Sequence, residues 1–319
     1  MAAARPRSLT RVENQTDVLA RVINEYAGVV SLSALDEAGL PRRLARAHVR
    51  AGRWRPIPGR GMVLHNGPLF GEAAWRAALL EVGPAARLGG VTALEAHGLK
   101  GFDEPWVHIW VPKGAQKSAP SELSECVQLH ETRRWAADAD AVCAGVPRSR
   151  PSVATVQAAL WARSRRQAAL CLVMPVQQRL VRVEDVAIEL TRVRRHAYRR
   201  MLGAVIVDLA GGAESLNEID FALECRRRGL PEPSRQVVCR LSSGRCYLDV
   251  RWETYRVSVE VNGAGHDRLD VALRDEVRIA DLQSRGDAAI PLSVLTLRCD
   301  PGPFFEALKR LLAARGWQP

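Results

Sequence analysis

Residues 246–262 read CYLDVRWETYRVSVEVN, and the fold of the last third of the chain turns on them. Two alternating stretches, 246–252 and 256–262, flank a turn at Thr254-Tyr255, the pattern of a β-hairpin. A two-residue turn sets Glu253 opposite Arg256. Counting outward, Asp249 falls opposite Glu260 and Tyr247 opposite Asn262. Leu248 and Val250 then share a face with Val257, Val259 and Val261, and that face is expected to be buried. Tyr247, Asp249 and Arg251 share the other with Ser258, Glu260 and Asn262. Opposed residues stand about 5 Å apart at Cβ, so two carboxylates there repel unless a cation joins them or one is protonated. A divalent ion resolves the conflict. Hard oxygens from Asp249, Glu260 and the carbonyl of Val261 suit Mg²⁺, or Mn²⁺ in its place. A metal so held lowers the pKa of bound water and neutralises charge on a scissile phosphate, which points to phosphodiester hydrolysis.

Upstream, a helix is predicted over 215–229, with Ser215 as N-cap, Glu218 three residues on and Gly229 as stop. Pro231 to Gln236 leads into a strand, and a further helix is predicted over 274–285. The whole segment, SLNEIDFALECRRRGLPEPSRQ…YLDV…VSVEVNGAGH…RDEVRIADL, resembles the nuclease-like domains related to very-short-patch-repair endonucleases, of the PD-(D/E)XK class. The resemblance implies a restriction-endonuclease-like fold, a mixed sheet flanked by helices. It also implies an acidic set of Glu218, Asp249 and Glu260, polar positions at Gln236 and His266, and a basic position at Arg278. Asn262 departs from the pattern, since an acid or Lys usually stands there, and Ala280 stands where many relatives carry Asn. Plainer roles exist beside these: a capping box for Ser215 and Glu218, a turn contact for His266, and an ion pair with Asp275 or Asp281 for Arg278.

The first 66 residues predict a winged helix-turn-helix. Val18, Leu19, Val22, Ile23 and Tyr26 make a helical stripe, Ser31 caps a second helix, and Pro41 opens a third over 41–51. On that third helix Leu44, Ala47 and Val49 are expected to face inward while Arg42, Arg43, Arg46 and Arg50 face out. Two short strands follow around Pro58-Gly59-Arg60-Gly61, a basic wing that also carries Arg53 and Arg55. The helix would enter the major groove of double-stranded DNA, with Arg60 reaching phosphates or the minor groove. A winged helix used for protein contacts is the alternative. The run LSALDEAGLPRRLARAHVRAGRWRPIPGRGMVL, continued by FGEAAWRAALLEVGPAARLGGVTALEAHGL and WVHIWVPKG, resembles the N-terminal region of AbiEi-type antitoxins. That resemblance implies operator binding, autorepression and a nucleotidyltransferase-type toxin as partner.

Charge divides the chain in the same way. The net charge is +11, with +6 on residues 1–66, −2 on 67–149, +7 on 150–210 and zero on 211–319. Grip and chemistry are thus expected on different segments. Trp106, His108 and Trp110 alternate along one strand face, either to stack bases or as one side of a packed sheet, and Cys126 to Glu131 is expected as a return strand. Residues 152–210 read as helical, interrupted at Pro175, with VRRHAYRR (193–200) adding charge to a helix face. The expected organisation is an α+β multidomain chain: winged helix over 1–66, small α+β domain over 67–150, basic helical bridge over 151–211 and nuclease-like domain over 212–319. Mean hydropathy is −0.12. With no long apolar run, membrane partners are not expected, and seven cysteines without a C-x-x-C pair suggest a reduced, cytoplasmic setting.

Overall fold

The central hairpin keeps the register that its turn dictates: Trp252 pairs with Val257, Arg251 with Ser258 and Val250 with Val259. It sits in a computed structural model that describes residues 15–102, 104–118, 126–136, 138–211, 214–241, 244–262 and 269–318. Among them, thirteen helices and three sheets form a mixed α+β architecture in two units. One unit is residues 1–96 with 103–150, and the other is 97–102 with 151–319.

The first unit opens with α1 (Gln15–Glu25), β1 (Val29–Ser31), α2 (Leu32–Glu37), α3 (Arg42–Arg50), β2 (Arg55–Ile57) and β3 (Gly61–Val63). The strands form an antiparallel sheet in the order β1-β3-β2. Ser31 caps α2 through its hydroxyl, which accepts the Ala34 N–H at 3.1 Å. Val22, Val30, Leu35, Trp54 and Met62 form the core, with Val18, Leu44 and Val49 packed against it. Ile23 and Ala47, expected inside, are exposed.

The same unit continues with α4 (Gly71–Val82), β4 (Arg87–Leu88), α5 (Gly90–Glu95), β5 (Val107–Pro112), β6 (Val127–Thr132), β7 (Ala141–Val142) and β8 (Arg148–Ser149). Its five-stranded sheet runs β6-β5-β4-β8-β7. β6 pairs with β5 in parallel, not as the expected return strand. β5 is interior. Trp110 is fully buried and donates through Nε1 to Ser149 Oγ at 2.7 Å, and buried His108 meets His130 Nε2 through Nδ1 at 3.0 Å. This strand face is therefore core, not a stacking platform.

The second unit begins with α6 (Pro151–Trp161), α7 (Arg165–Gln177), α8 (Val183–Thr191) and α9 (Arg199–Leu209). Pro175 lies inside α7 near its C-terminal end and does not interrupt it. Most of residues 193–200 join α8 to α9, so the expected basic helix face is largely a connection; Val193 within it is buried. There follow α10 (Glu214–Arg227), β9 (Ser234–Leu241), β10 (Gly244–Trp252), β11 (Val257–Asn262), α11 (Leu269–Ser284), β12 (Ala288–Ser293), α12 (Val294–Cys299) and α13 (Gly302–Ala314). α10 starts one residue before Ser215, placing that residue in the first turn and not at the cap.

The four-stranded sheet runs β12-β11-β10-β9, antiparallel except that β12 lies parallel to β11 across the α11 crossover. On one face Val250, Trp252 and Val259 pack with Phe221 and Phe305. On the other, Leu248 packs with Ile279, Leu282 and Ala289. The expectation that Leu248 and Val250 share a face is therefore corrected. Both keep one unbroken register with β9, pairing with Val237 and Arg235, so no residue is inserted between them.

Candidate functional site

β11 is an interior strand that is also buried on both faces: Val257 and Val259 lie in the core on one, and on the other Ser258 is 1% exposed and Glu260 2%. The ladder between β10 and β11 ends at Val250 with Val259, one step short of Asp249 and Glu260. There a side chain takes over. Asp249 Oδ2 accepts the Val261 N–H at 2.8 Å. That hydrogen bond favours the ionised carboxylate without any cation, a third resolution of the like-charge conflict beside the two that the sequence suggests.

Arg251 lies on the same face, and its guanidinium is engaged 3.4 Å from Asp287. Asp287 also receives Arg256 Nε at 3.1 Å. Arg256 holds the left-handed backbone that closes the hairpin, with φ of 53°. Asp287, which sequence reasoning passed over, thus ties the turn to the strand that carries Asp249. Only its position before β12 could have signalled this.

Of the other expected site residues, Glu218 is on α10, Gln236 on β9, Asn262 at the end of β11 and Arg278 on α11. Their side chains, and the whole of His266, lie outside the described residues. Among the described residues no group of three or more His, Cys, Asp or Glu converges as a metal cluster. The described donors are two carboxylates on adjacent strands and the Val261 backbone. All are hard oxygens, a set that fits Mg²⁺, which takes one or two carboxylates and fills its remaining positions with water.

The arginines of the first unit divide into two groups. Arg43, Arg46 and Arg50 are exposed on α3, spaced three and four residues apart and so on one helix face, and Arg53 is exposed just beyond. Arg42 is exposed but paired with Asp36 at 2.8 Å. His48 stacks on Trp54 with centroids 4.3 Å apart; burial, then the charge of Arg53, pushes its pKa below the usual histidine range. The positive charge of α3 is therefore carried by guanidinium groups.

Arg55 and Arg60, expected to contact DNA, are committed elsewhere. Arg55 donates to the Gly67 carbonyl at 2.6 Å. Arg60 does not project from the turn. It donates to Ser118 Oγ at 3.1 Å and lies so close over Gly83 that a Cβ there would stand 2.7 Å from Nη1.

No family model matches the chain, and no curated protein does. Among solved structures, the RV2827C protein from Mycobacterium tuberculosis is similar at 20% identity over 60% of this chain and 75% of that one, with a TM-score of 0.36. No helix among the described residues is long and apolar enough to cross a membrane.

Proposed function

We propose that the chain binds double-stranded DNA through the arginine face of α3 and carries an endonuclease-like, metal-dependent site on Asp249 and Glu260. In this reading residues 1–66 act as a winged helix-turn-helix, and residues 212–319 as a restriction-endonuclease-like domain. The observation that carries it is that Asp249 accepts the Val261 N–H, on the strand that also carries the buried Glu260. Asp249, Glu260 and the Val261 carbonyl would hold Mg²⁺ or Mn²⁺. The ion would supply an activated water and charge neutralisation at the phosphate. Asp249, held in place by the Val261 N–H, keeps one oxygen directed by that bond. Glu260 is fixed by its interior strand, so neither carboxylate spends much conformational freedom on binding. Glu218, Gln236, His266 and Arg278 enter through the resemblance alone. The setting proposed is cytoplasmic.

Nicking of supercoiled plasmid with Mg²⁺ or Mn²⁺ tests the reading. Glu260→Gln and Asp249→Asn should abolish nicking. Asp249→Asn should do so without loss of fold, because its amide oxygen still accepts the Val261 N–H. Equal nicking by wild type and Glu260→Gln, or none by wild type, overturns it.

Asn262 favours a second reading, because it supplies neither the charge of a lysine nor that of an acid. The chain is then an AbiEi-like antitoxin or autorepressor, with a nucleotidyltransferase-type toxin as partner and a nuclease fold that does not cut. Retardation of its own upstream DNA without nicking supports this second reading, and Asn262→Asp would then be expected to gain metal affinity.

A further inference from the structure

The first unit contains a cavity of about 420 Å³, lined by β1, the turn between β2 and β3, α4 and the segment leading into β4. A volume of that size belongs to small-molecule sites. Its polar lining is dominated by three guanidinium groups, Arg60, Arg76 and Arg87, and no described lining residue is a carboxylate. Arg76 alone is neutralised, by Glu72 at 2.7 Å, and it lies over the Tyr26 ring at 5.3 Å. The other two are held by neutral acceptors: Arg60 by Ser118 Oγ, Arg87 by the Pro84 and Ala86 carbonyls, both at 2.9 Å. Such partners fix the rotamer and leave the charge uncompensated. Arg87 Nε is buried with no acceptor, a donor with an unmet partner. Leu79, Leu80 and Ala86 make the remaining walls apolar.

We propose that this cavity binds a small phosphate monoester with an aromatic or apolar body, of the size and chemistry of a nucleoside monophosphate. Two uncompensated guanidinium groups match the charge of a phosphate monoester, about −1.5 to −2 at neutral pH, better than the single charge of a carboxylate. Arg60 and Arg87 present planar forks suited to bidentate pairing with phosphate oxygens. Tyr26 and the leucines accept the organic body. Gly83 belongs to the site because a side chain there would displace Arg60. The proposal is independent of the DNA and nuclease readings.

Calorimetric titration and thermal melting of the full chain with AMP, GMP, inorganic phosphate and adenosine test it. AMP or GMP should bind saturably and raise Tm, with adenosine at least about tenfold weaker. Arg60→Met, which alters a half-exposed side chain, should weaken binding by about tenfold or more while keeping the melting profile of the free protein. Gly83→Ala should weaken binding likewise and also lower Tm, because its φ of 127° strains any side chain. Arg43→Ala with Arg46→Ala should leave nucleotide binding unchanged. The proposal is overturned if neither nucleotide binds at about 5 mM, which corresponds to less than about 3 kcal/mol of affinity. It is equally overturned if Arg60→Met and Gly83→Ala bind as wild type does, or if binding is lost in the α3 double variant, which would assign it to the DNA face.

Discussion

Replacing Arg43 and Arg46 together by alanine removes two of the five exposed guanidinium groups on and just beyond α3; Arg50 and Arg53 remain, and Arg42 is paired with Asp36. If Arg43, Arg46, Arg50 and Arg53 each neutralise one phosphate, the log–log salt slope of DNA binding is about −3.6, from about −0.9 per contact. Between 50 and 200 mM salt, wild-type affinity would then fall about 150-fold, and that of the double variant about 12-fold, its slope being about −1.8. Arg60→Ala should leave the slope unchanged, because that guanidinium is turned onto Gly83 and Ser118. Arg55→Ala should also leave it unchanged, at a cost in stability, because Arg55 holds the Gly67 carbonyl. The assay is fluorescence anisotropy of a labelled duplex across a salt series, with folding checked by circular dichroism. If Arg60→Ala lowers the slope as much as Arg43→Ala does, the division of the arginines by their protein partners is wrong. If no variant alters it, α3 is not the DNA face.

Four further outcomes are expected. Arg298→Met removes the guanidinium 3.2 Å from Asp208, whose side chain is 1% exposed, and should cost about 3–5 kcal/mol in urea denaturation; adding Asp208→Asn should recover most of it. Burial, with the neighbouring His108 adding to it, pushes the His130 pKa from 6.5 to about 3. The unfolded chain therefore takes that proton first, and the first unit should lose at most about 1.4 kcal/mol per pH unit as pH falls from 6.5 toward 3. His130→Gln should flatten this dependence in urea midpoints measured over that range. Asp249→Ala should destabilise by about 1–2 kcal/mol by leaving the Val261 N–H without its acceptor, whereas Asp249→Asn should cost less in the same measurement. Mg²⁺ at about 100 times its Kd should stabilise the wild type by about 2.7 kcal/mol in thermal melts and leave Glu260→Gln unmoved; equal response of the two would remove the shared ion.

The hairpin register was legible because it depends only on local facts, a turn length and a period of two. Counting accordingly gives the observed pairs of Trp252 with Val257, Arg251 with Ser258 and Val250 with Val259. The separation of Leu248 from Val250 was not legible, because what surrounds Leu248 comes from α11 and β12, which follow the hairpin in sequence. The arginines show the same limit. Arg43 and Arg60 are chemically alike and both sit in the predicted winged helix. They are separated only by what the remote Gly83 and Ser118 do to one of them. The parallel pairing of β5 with β6 was hidden for a related reason, since alternation gives a strand its faces but not its direction.

The described site therefore rests on two different physical supports. Asp249 has a reason to be ionised that is internal to the sheet: it substitutes for a ladder acceptor, and the hydrogen bond it receives stabilises its charge. Glu260 is held differently, by burial on an interior strand, where it is 2% exposed. A carboxylate that merely completed the sheet would need only the first kind of support, so Asp249 by itself argues for structure as readily as for chemistry. Asp249→Ala would disturb the sheet and any bound ion together. Glu260→Gln keeps the size of a buried side chain and removes only its charge, so it is the variant that separates catalysis from scaffold.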